Sequence, residues 1–421
     1  MIEYHFRREV DLPNANYLTH GLHPYPARFI PHIPHWFLRK YGRPGAVMLD
    51  PFAGSGTALV EAALLGMDAL GVDLNPLSGL LIRAKTTIPL NGRKFAAQVR
   101  KGLAGTRHTR AHFEPPLKNL GKWFQPAAIE SLGRIFGYLR QNPDDLSLEA
   151  IEFLQVCASG AVRAVCNADP QVSKPFVSRR RRAALAAGAV PDDAQAVFER
   201  RVRVALARKK AYVKAIEERT AVFGWGRYPT VGYLPGVDAR TLVGVADDSV
   251  DLVVTSPPYA NAQEYLRSVK FELLWLGLVD VKGLRALDAA VMGSERLPQS
   301  AYQARPTSDL AVLDGVLGEI YAVDAKRAVV VQRYFEDMAA ALGQMARVLK
   351  PGGVAGLLVG DNVIRKVPVP THTLVAALAE RAGLTVTEMG YDAIHVRALG
   401  PQRAAWAGWI DGEWLLTMKK G

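Results

Sequence analysis

The eight residues Asp50-Pro51-Phe52-Ala53-Gly54-Ser55-Gly56-Thr57 constrain the fold more than any other stretch of the chain. A short apolar run, Ala46 to Asp50, precedes the glycines, and a helix-like segment, Ala58 to Leu65, follows them and stops at Gly66. A second apolar run, Asp68 to Val72, ends at Asp73. Strand, glycine loop, helix, strand and acid make a βαβ unit, in which a nucleotide-like ligand sits at the strand ends. Gly54 and Gly56 let the backbone approach a ligand closely, and the helix that follows offers free N–H groups. Asp73, ending the second strand, is placed to take both hydroxyls of a ribose. No third glycine falls at position 59, so the dinucleotide pattern is broken. The loop also lacks the GxxxxGK[ST] phosphate signature, which argues against ATP or GTP.

The regular pattern then stops. Residues 91–225 read as mostly helical, with Ala-rich stretches at 183–187 and 205–211. Strand-like patterning resumes near Val231 and at Val250–Thr255, with a helix expected from Gln263 to about Leu278. Another helix, about Ala325 to Leu349, precedes the turn Lys350-Pro351-Gly352-Gly353 and a strand from Val354 to Val359. Leu384–Glu388 and Glu413–Met418 would complete the sheet. The expectation is a mostly parallel α/β sheet (residues 1–90 and 226–421) interrupted by a helical insert, 91–225.

Charge falls unevenly on these two parts. Residues 91–225 hold 24 Lys and Arg against 12 Asp and Glu, while the rest of the chain balances at 28 against 28. The whole excess of +12 therefore lies in the insert, which points to a polyanionic partner for that segment. Its densest runs are Arg179-Arg180-Arg181-Arg182 and the cluster at Arg208, Lys209 and Lys210. No apolar run reaches the roughly 18 residues of a membrane span. The start, Met1 to Asp11, lacks the apolar core of a signal peptide. A soluble, cytoplasmic protein is expected, with Cys157 and Cys166 as buried packing residues.

Thr255-Ser256-Pro257-Pro258-Tyr259, directly after the 250–254 strand, carries the chemistry. Two consecutive prolines fix a rigid bend and remove two donors, leaving carbonyls to face a partner. A hydroxyl, a carbonyl and an aromatic ring then stand together at a strand end. Such a set can accept hydrogen bonds from an exocyclic amine while the ring stacks on its base.

Asp-Pro-Phe-Ala-Gly-Ser-Gly-Thr closely resembles motif I of the S-adenosylmethionine-dependent amino-methyltransferases, and Gly71-Val72-Asp73-Leu74-Asn75-Pro76 their motif II. Ser256-Pro257-Pro258-Tyr259 matches the [DNS]-P-P-[YFW] motif IV of DNA methyltransferases acting on exocyclic nitrogen. His23-Pro24-Tyr25-Pro26-Ala27-Arg28-Phe29-Ile30-Pro31 is similar to the motif that closes over the methionine part of the cofactor, and Gly236-Val237-Asp238-Ala239-Arg240 to the acidic loop meeting the adenine amino group. Gly293-Ser294-Glu295-Arg296 and Gly360-Asp361-Asn362 resemble further, less specific family segments. The resemblance covers about residues 20–90 and 230–365 and implies a Rossmann-like class I methyltransferase sheet.

It implies S-adenosyl-L-methionine as cofactor, held by Tyr25, Asp50, Pro51, Phe52, Ala53, Gly54, Ser55, Gly56, Thr57, Asp73, Leu74, Asp238 and Ala239. Ser256, Pro257, Pro258 and Tyr259 would be catalytic. Double-stranded DNA would be the substrate, bound by Arg179, Arg180, Arg181 and Arg182, with a cognate restriction endonuclease as a partner to consider. Ser at the first position of motif IV favours cytosine N4 as the target. Adenine N6 is the closest alternative, followed by an RNA base and a non-catalytic DNA-binding subunit. The 5-methylcytosine route needs a nucleophilic Cys after Pro, and both cysteines here follow valines. RNA guanine enzymes with similar motifs carry an N-terminal RNA-binding module, for which the glycine loop near residue 50 is expected to leave no room. His20, His23, His32 and His35 cluster in sequence, but prolines intervene and no metal is expected.

Overall fold

A computed structural model describes residues 2–26, 28–170, 174–260, 265–394 and 411–421. The described strands, in chain order, are β1 (Ile2–Tyr4), β2 (Val47–Asp50), β3 (Asp68–Asp73), β4 (Val231–Pro235), β5 (Val250–Thr255), β6 (Leu349–Gly360), β7 (Asn362–Ile364), β8 (Val367–Val369), β9 (Leu384–Ala393) and β10 (Gly412–Lys420). Eight of them form one sheet in the order β1-β9-β10-β6-β5-β2-β3-β4. Strands β2 to β6 pair in parallel, and β10 runs antiparallel between β6 and β9. From β2 the chain steps outward to β3 and β4, then returns to build β5 and β6 on the other side. The reversal lies between β2 and β5, and ligands of such sheets bind outside the carboxyl ends of the strands at that point. This is the expected Rossmann-like α/β sheet.

The longer helices, also in chain order, are α1 (His32–Tyr41), α2 (Thr57–Leu64), α3 (Pro76–Thr86), α4 (Gly92–His108), α5 (Pro126–Arg140), α6 (Leu148–Val165), α7 (Arg179–Ala186), α8 (Ala194–Phe223), α9 (Lys270–Leu276), α10 (Val281–Ala290), α11 (Ala311–Val323), α12 (Ala325–Val348) and α13 (Thr371–Arg381). Alternate residues of the central strands feed two cores. Met48, Leu252, Val254 and Leu358 meet Phe37 of α1 and Leu59 and Ala62 of α2. Leu49, Val253, Leu357 and Val359 belong to the opposite core, with Phe335, Met338 and Leu342 of α12 and Leu374 of α13. Burial on both faces is why these strands read as nearly continuous apolar runs.

Helices α4 to α8 fill the region between α3 and β4, as the Ala-rich patterning leads one to expect. Ser147, Ser178 and Asp193 cap α6, α7 and α8 by accepting backbone N–H bonds. Their core is shared: Leu77, Leu80 and Leu81 of α3 join it from one side, and Phe271 and Trp275 of α9 from another. Trp275 stacks on Phe136 at 5.6 Å and meets Phe124 edge-on at 5.7 Å.

Two expectations differ in detail. Lys350–Gly353 does not separate a helix from a strand but is taken up within β6. Pairing passes from Val250↔Leu349 to Leu252↔Val354, so the four residues bulge out of the ladder, with Gly352 at φ +76°. The helix expected from Gln263 is two pieces, Tyr265–Ser268 and α9, ended by Gly277 at φ +65°. Gln263 and Glu264 lie outside the described residues, as does Ala27 of the His23–Pro31 segment.

Candidate active site

Two neighbouring strand ends build the floor. β2 ends at Asp50 and β5 at Thr255, and the Thr255 hydroxyl donates to Asp50 Oδ1 at 2.6 Å. The bond ties the strand that carries Ser-Pro-Pro-Tyr to the one that opens the glycine loop. Beside it, Asp73 at the end of β3 accepts the Gly54 N–H at 2.8 Å and the Asn75 N–H at 2.7 Å, one on each carboxylate oxygen. Each oxygen keeps a lone pair for a further donor.

The loop needs its glycines. Gly54 and Gly56 have φ of +49° and +76°, and a Cβ on Gly56 would lie 2.7 Å from Ile82 Cγ1 of α3. Behind the loop, the fully buried Lys85 Nζ donates to the Ser55 carbonyl at 2.5 Å. Burial drives the Lys85 amine well below its ordinary pKa. Lys209 of α8 in turn donates to the carbonyls of Ala84 and Lys85, at 2.9 and 3.1 Å, where α3 ends.

Over these strand ends lies a cavity of about 280 Å³. Of the residues singled out from sequence, Tyr25, Asp50, Pro51, Phe52, Ala53, Gly54, Ser55, Thr57, Asp73, Leu74, Asp238, Ala239, Ser256, Pro258 and Tyr259 line it together. Gly56 and Pro257 are outside the lining; Gly56 turns the chain into α2, and Pro257 is buried. Arg179 to Arg182 stand elsewhere, in the first turn of α7, with Arg179, Arg180 and Arg182 exposed and Arg181 half-buried. Asp238 is engaged by the Arg240 guanidinium, whose Nε lies 3.0 Å from both carboxylate oxygens.

The cavity also has walls that the motifs do not announce. Leu266, Val291, Met292 and Leu358 supply apolar surface, Arg28, Phe29 and Ile30 close one side, and Glu413 enters from β10. Leu358 and Glu413 sit on strands whose apolar alternation is legible, but nothing local marks which residue faces a ligand. Tyr25 lies over the glycine loop and its phenol accepts the Asn75 side-chain amide at 3.1 Å.

The segment carrying Tyr25 is anchored by an unforeseen cluster. Glu61 of α2, fully buried, bonds His20 Nε2 at 2.6 Å and His35 Nδ1 at 2.7 Å, and accepts from the Tyr17 phenol at 2.5 Å. Burial alone would raise the Glu61 pKa, but the His20 and His35 hydrogen bonds bring it down to about 2. Two of the four sequence-clustered histidines thus hold the cavity's cover to the helix behind the glycine loop.

Three carboxyl groups share the cavity: Asp50, buried, and Asp73 and Glu413, half-buried. Burial raises all three, and takes Asp50 to about 7 despite the bonds from Thr255 and the Phe52 N–H. Arg28, on the same wall, spends its guanidinium on the carbonyls of His20 and Ala15 and on the Asn16 side chain. Asp50 and Asp73, at the glycine loop, are the pair that a cationic ligand would stabilise, while the Glu413 carboxyl is taken up by the Tyr259 phenol. An elongated ligand with a ribose, a sulfonium and an ammonium fits this donor set, and S-adenosylmethionine is such a ligand.

Residues 6–77 match a family model described as DNA methylase. With motif I, motif IV and the strand order, this match is a likeness to the S-adenosylmethionine-dependent DNA amino-methyltransferases, a family whose cofactor is S-adenosyl-L-methionine. Among particular relatives, the Type II methyltransferase M.MvaI of Kocuria varians is 26% identical over 392 residues, 87% of this chain and 82% of that one. The Type II methyltransferase M.MjaII of Methanocaldococcus jannaschii is 39% identical over 67 residues, 16% of this chain and 13% of the other. A solved SAM-dependent methyltransferase from Methanosarcina mazei is 9% identical, with 91% of this chain and 96% of that one covered and a TM-score of 0.32.

Proposed function

We propose that the protein transfers a methyl group from S-adenosylmethionine to the exocyclic N4 of a cytosine flipped out of duplex DNA. The observation that carries the reading is the sharing of one cavity by Ser256, Pro258 and Tyr259 with Asp50, Gly54 and Asp73. Donor and acceptor would therefore meet without a covalent enzyme intermediate, and holding them in contact supplies much of the rate. The bound cofactor supplies an electrophilic methyl. Asp73 would take the ribose hydroxyls, and Asp50 and Asp73 would offset the ligand's positive charge.

Tyr259 would stack on the flipped base. The Ser256 hydroxyl and the Pro257 carbonyl would accept hydrogen bonds from the amine, concentrating electron density on its nitrogen. That nitrogen would form the new N–C bond as the donor's S–C bond breaks, the neutral thioether would be the leaving group, and one amine proton would pass to solvent. A serine hydroxyl can also donate to cytosine N3, which an ionised aspartate at that place could not do. Adenine N1 could take the same bond, so the geometry also admits adenine N6 as a second reading; cytosine N4 is favoured by the resemblance of Ser256 to the serine commoner at this motif position among the cytosine enzymes.

Residues 91–225 would recognise the target, with Arg179 to Arg182 on DNA phosphates. The core that they share with Phe271 and Trp275 of α9, 12 and 16 residues beyond Tyr259, would fix recognition and catalytic parts relative to each other. The M.MvaI, M.MjaII and M.BsoBI relatives are all called Type II methyltransferases, which supports a place in a restriction–modification pair with a cognate endonuclease.

Methyl-transfer assays on DNA test the assignment. Ser256→Ala should slow transfer with cofactor affinity unchanged, since its bonds tighten in the transition state. Tyr259→Ala should weaken productive base capture, stacking being worth about 1–3 kcal/mol. Full activity in both variants would remove the assignment.

A further inference from the structure

Glu413 is the second residue of β10, the antiparallel strand that closes the sheet. Its backbone is fixed on both sides, opposite Gly360 of β6 and Asp392 of β9. Tyr259 has no such frame: it lies beyond the end of β5, after Pro258, outside any regular element. Its phenol nevertheless donates to Glu413 Oε1, and both side chains line the cavity. A carboxyl group in a site this buried carries a desolvation cost unless it is bonded. The groups acting on it from its surroundings, besides Tyr259, are Asp392 and Arg7, of opposite sign.

We propose that Glu413 is a positioning residue for Tyr259: by holding the phenol from the rigid sheet, it sets the plane of the ring against which the target base stacks. The inference rests on the reading of Tyr259 as the stacking residue. A tyrosine side chain has two free torsions, and a bond at the far end of the ring restrains both. Glu413 need not touch the base to act in this way. The two separate partners of the device, a strand-borne acceptor and a loop-borne ring, lie 154 residues apart.

Steady-state methylation of DNA by the full chain, with cofactor affinity measured alongside, tests it in Glu413→Ala, Glu413→Gln, Tyr259→Phe and the Glu413→Ala/Tyr259→Phe double variant. Glu413→Ala should lose about tenfold in kcat, the scale of one buried hydrogen bond. Cofactor affinity should stay within about twofold, because the bond to the ring is not part of the cofactor cradle. Glu413→Gln, whose amide oxygen still accepts from the phenol, should recover to within about threefold of the parent. Tyr259→Phe keeps the ring and should match Glu413→Ala, with the double variant no worse than either, as for two halves of one interaction. Additive losses, a Gln variant as poor as the Ala variant, unchanged kcat in Glu413→Ala, or a collapse of its cofactor affinity would each overturn the proposal. Tyr259→Ala separates the two levels: full activity there defeats the stacking reading itself. A severe loss there with active Glu413→Ala defeats the positioning role alone.

Discussion

Asp73 does two jobs with four lone pairs. It holds the Gly54 and Asn75 N–H groups, which shapes the loop, and on the proposed reading would also bond the cofactor ribose. Asp73→Ala should cost about 1.5–3 kcal/mol of cofactor binding, the value of a charge-assisted hydrogen bond. Calorimetry showing unchanged affinity in a folded variant would remove the assignment. Asp50 makes a different prediction, about pH. Its carboxyl is raised to about 7 by burial, so in the ligand-free protein it holds a proton across the acidic range. A cationic ligand favours the carboxylate, so binding expels that proton. Affinity for S-adenosylmethionine should therefore rise with pH between roughly 5 and 7, by up to about tenfold per pH unit, and level off above. The neutral thioether product should show a weaker dependence. Titrations in buffers of different ionisation enthalpy would register the proton release, and flat or inverted profiles would contradict the charge argument.

At the scale of elements, α9 and α7 carry opposite lessons. α9 drives Trp275 into the helical core that it shares with residues 92–223. Trp275→Ala should lower unfolding free energy by about 3–5 kcal/mol, as large aromatic truncations in cores do. Denaturation within 1 kcal/mol of the parent would mean that this junction is loosely packed. α7 opens with four arginines at the positive end of its own dipole, a place that disfavours cations by about 0.3–1 kcal/mol each at exposed sites. Their placement is poor for the helix and suited to an external anion. Replacing all four by Ser should weaken DNA binding and flatten the plot of log K against log salt by about 0.9 per lost phosphate contact. An unchanged slope would make the run a solvated face. The sequence carries these elements unequally. The parallel strands and glycine loop are legible because burial and φ impose residue types locally, as at Gly56 beside Ile82. Glu61, Lys85 and Glu413 are not, because each acquires its role from partners distant in sequence, and a lone charged residue looks like any solvated one. Lys350–Gly353 shows the converse: its turn chemistry is plain, but only pairing with β5 turns it into a bulge.

The whole molecule places a cavity rich in carboxyl groups, suited to a cationic cofactor, beside a helical region that holds the chain's entire positive excess. On the proposed reading, DNA phosphates and cofactor would be served by surfaces of opposite character. The described residues contain no helix long and apolar enough to cross a membrane. Nucleoside mass spectrometry reads the product itself, in DNA and RNA from cells expressing the protein, digested and compared with cells expressing Ser256→Ala. N4-methylcytosine in DNA, present with the parent and strongly reduced with the variant, is the predicted result. N6-methyladenine without N4-methylcytosine would contradict the choice of base, and methylated nucleosides confined to RNA would contradict DNA as the substrate.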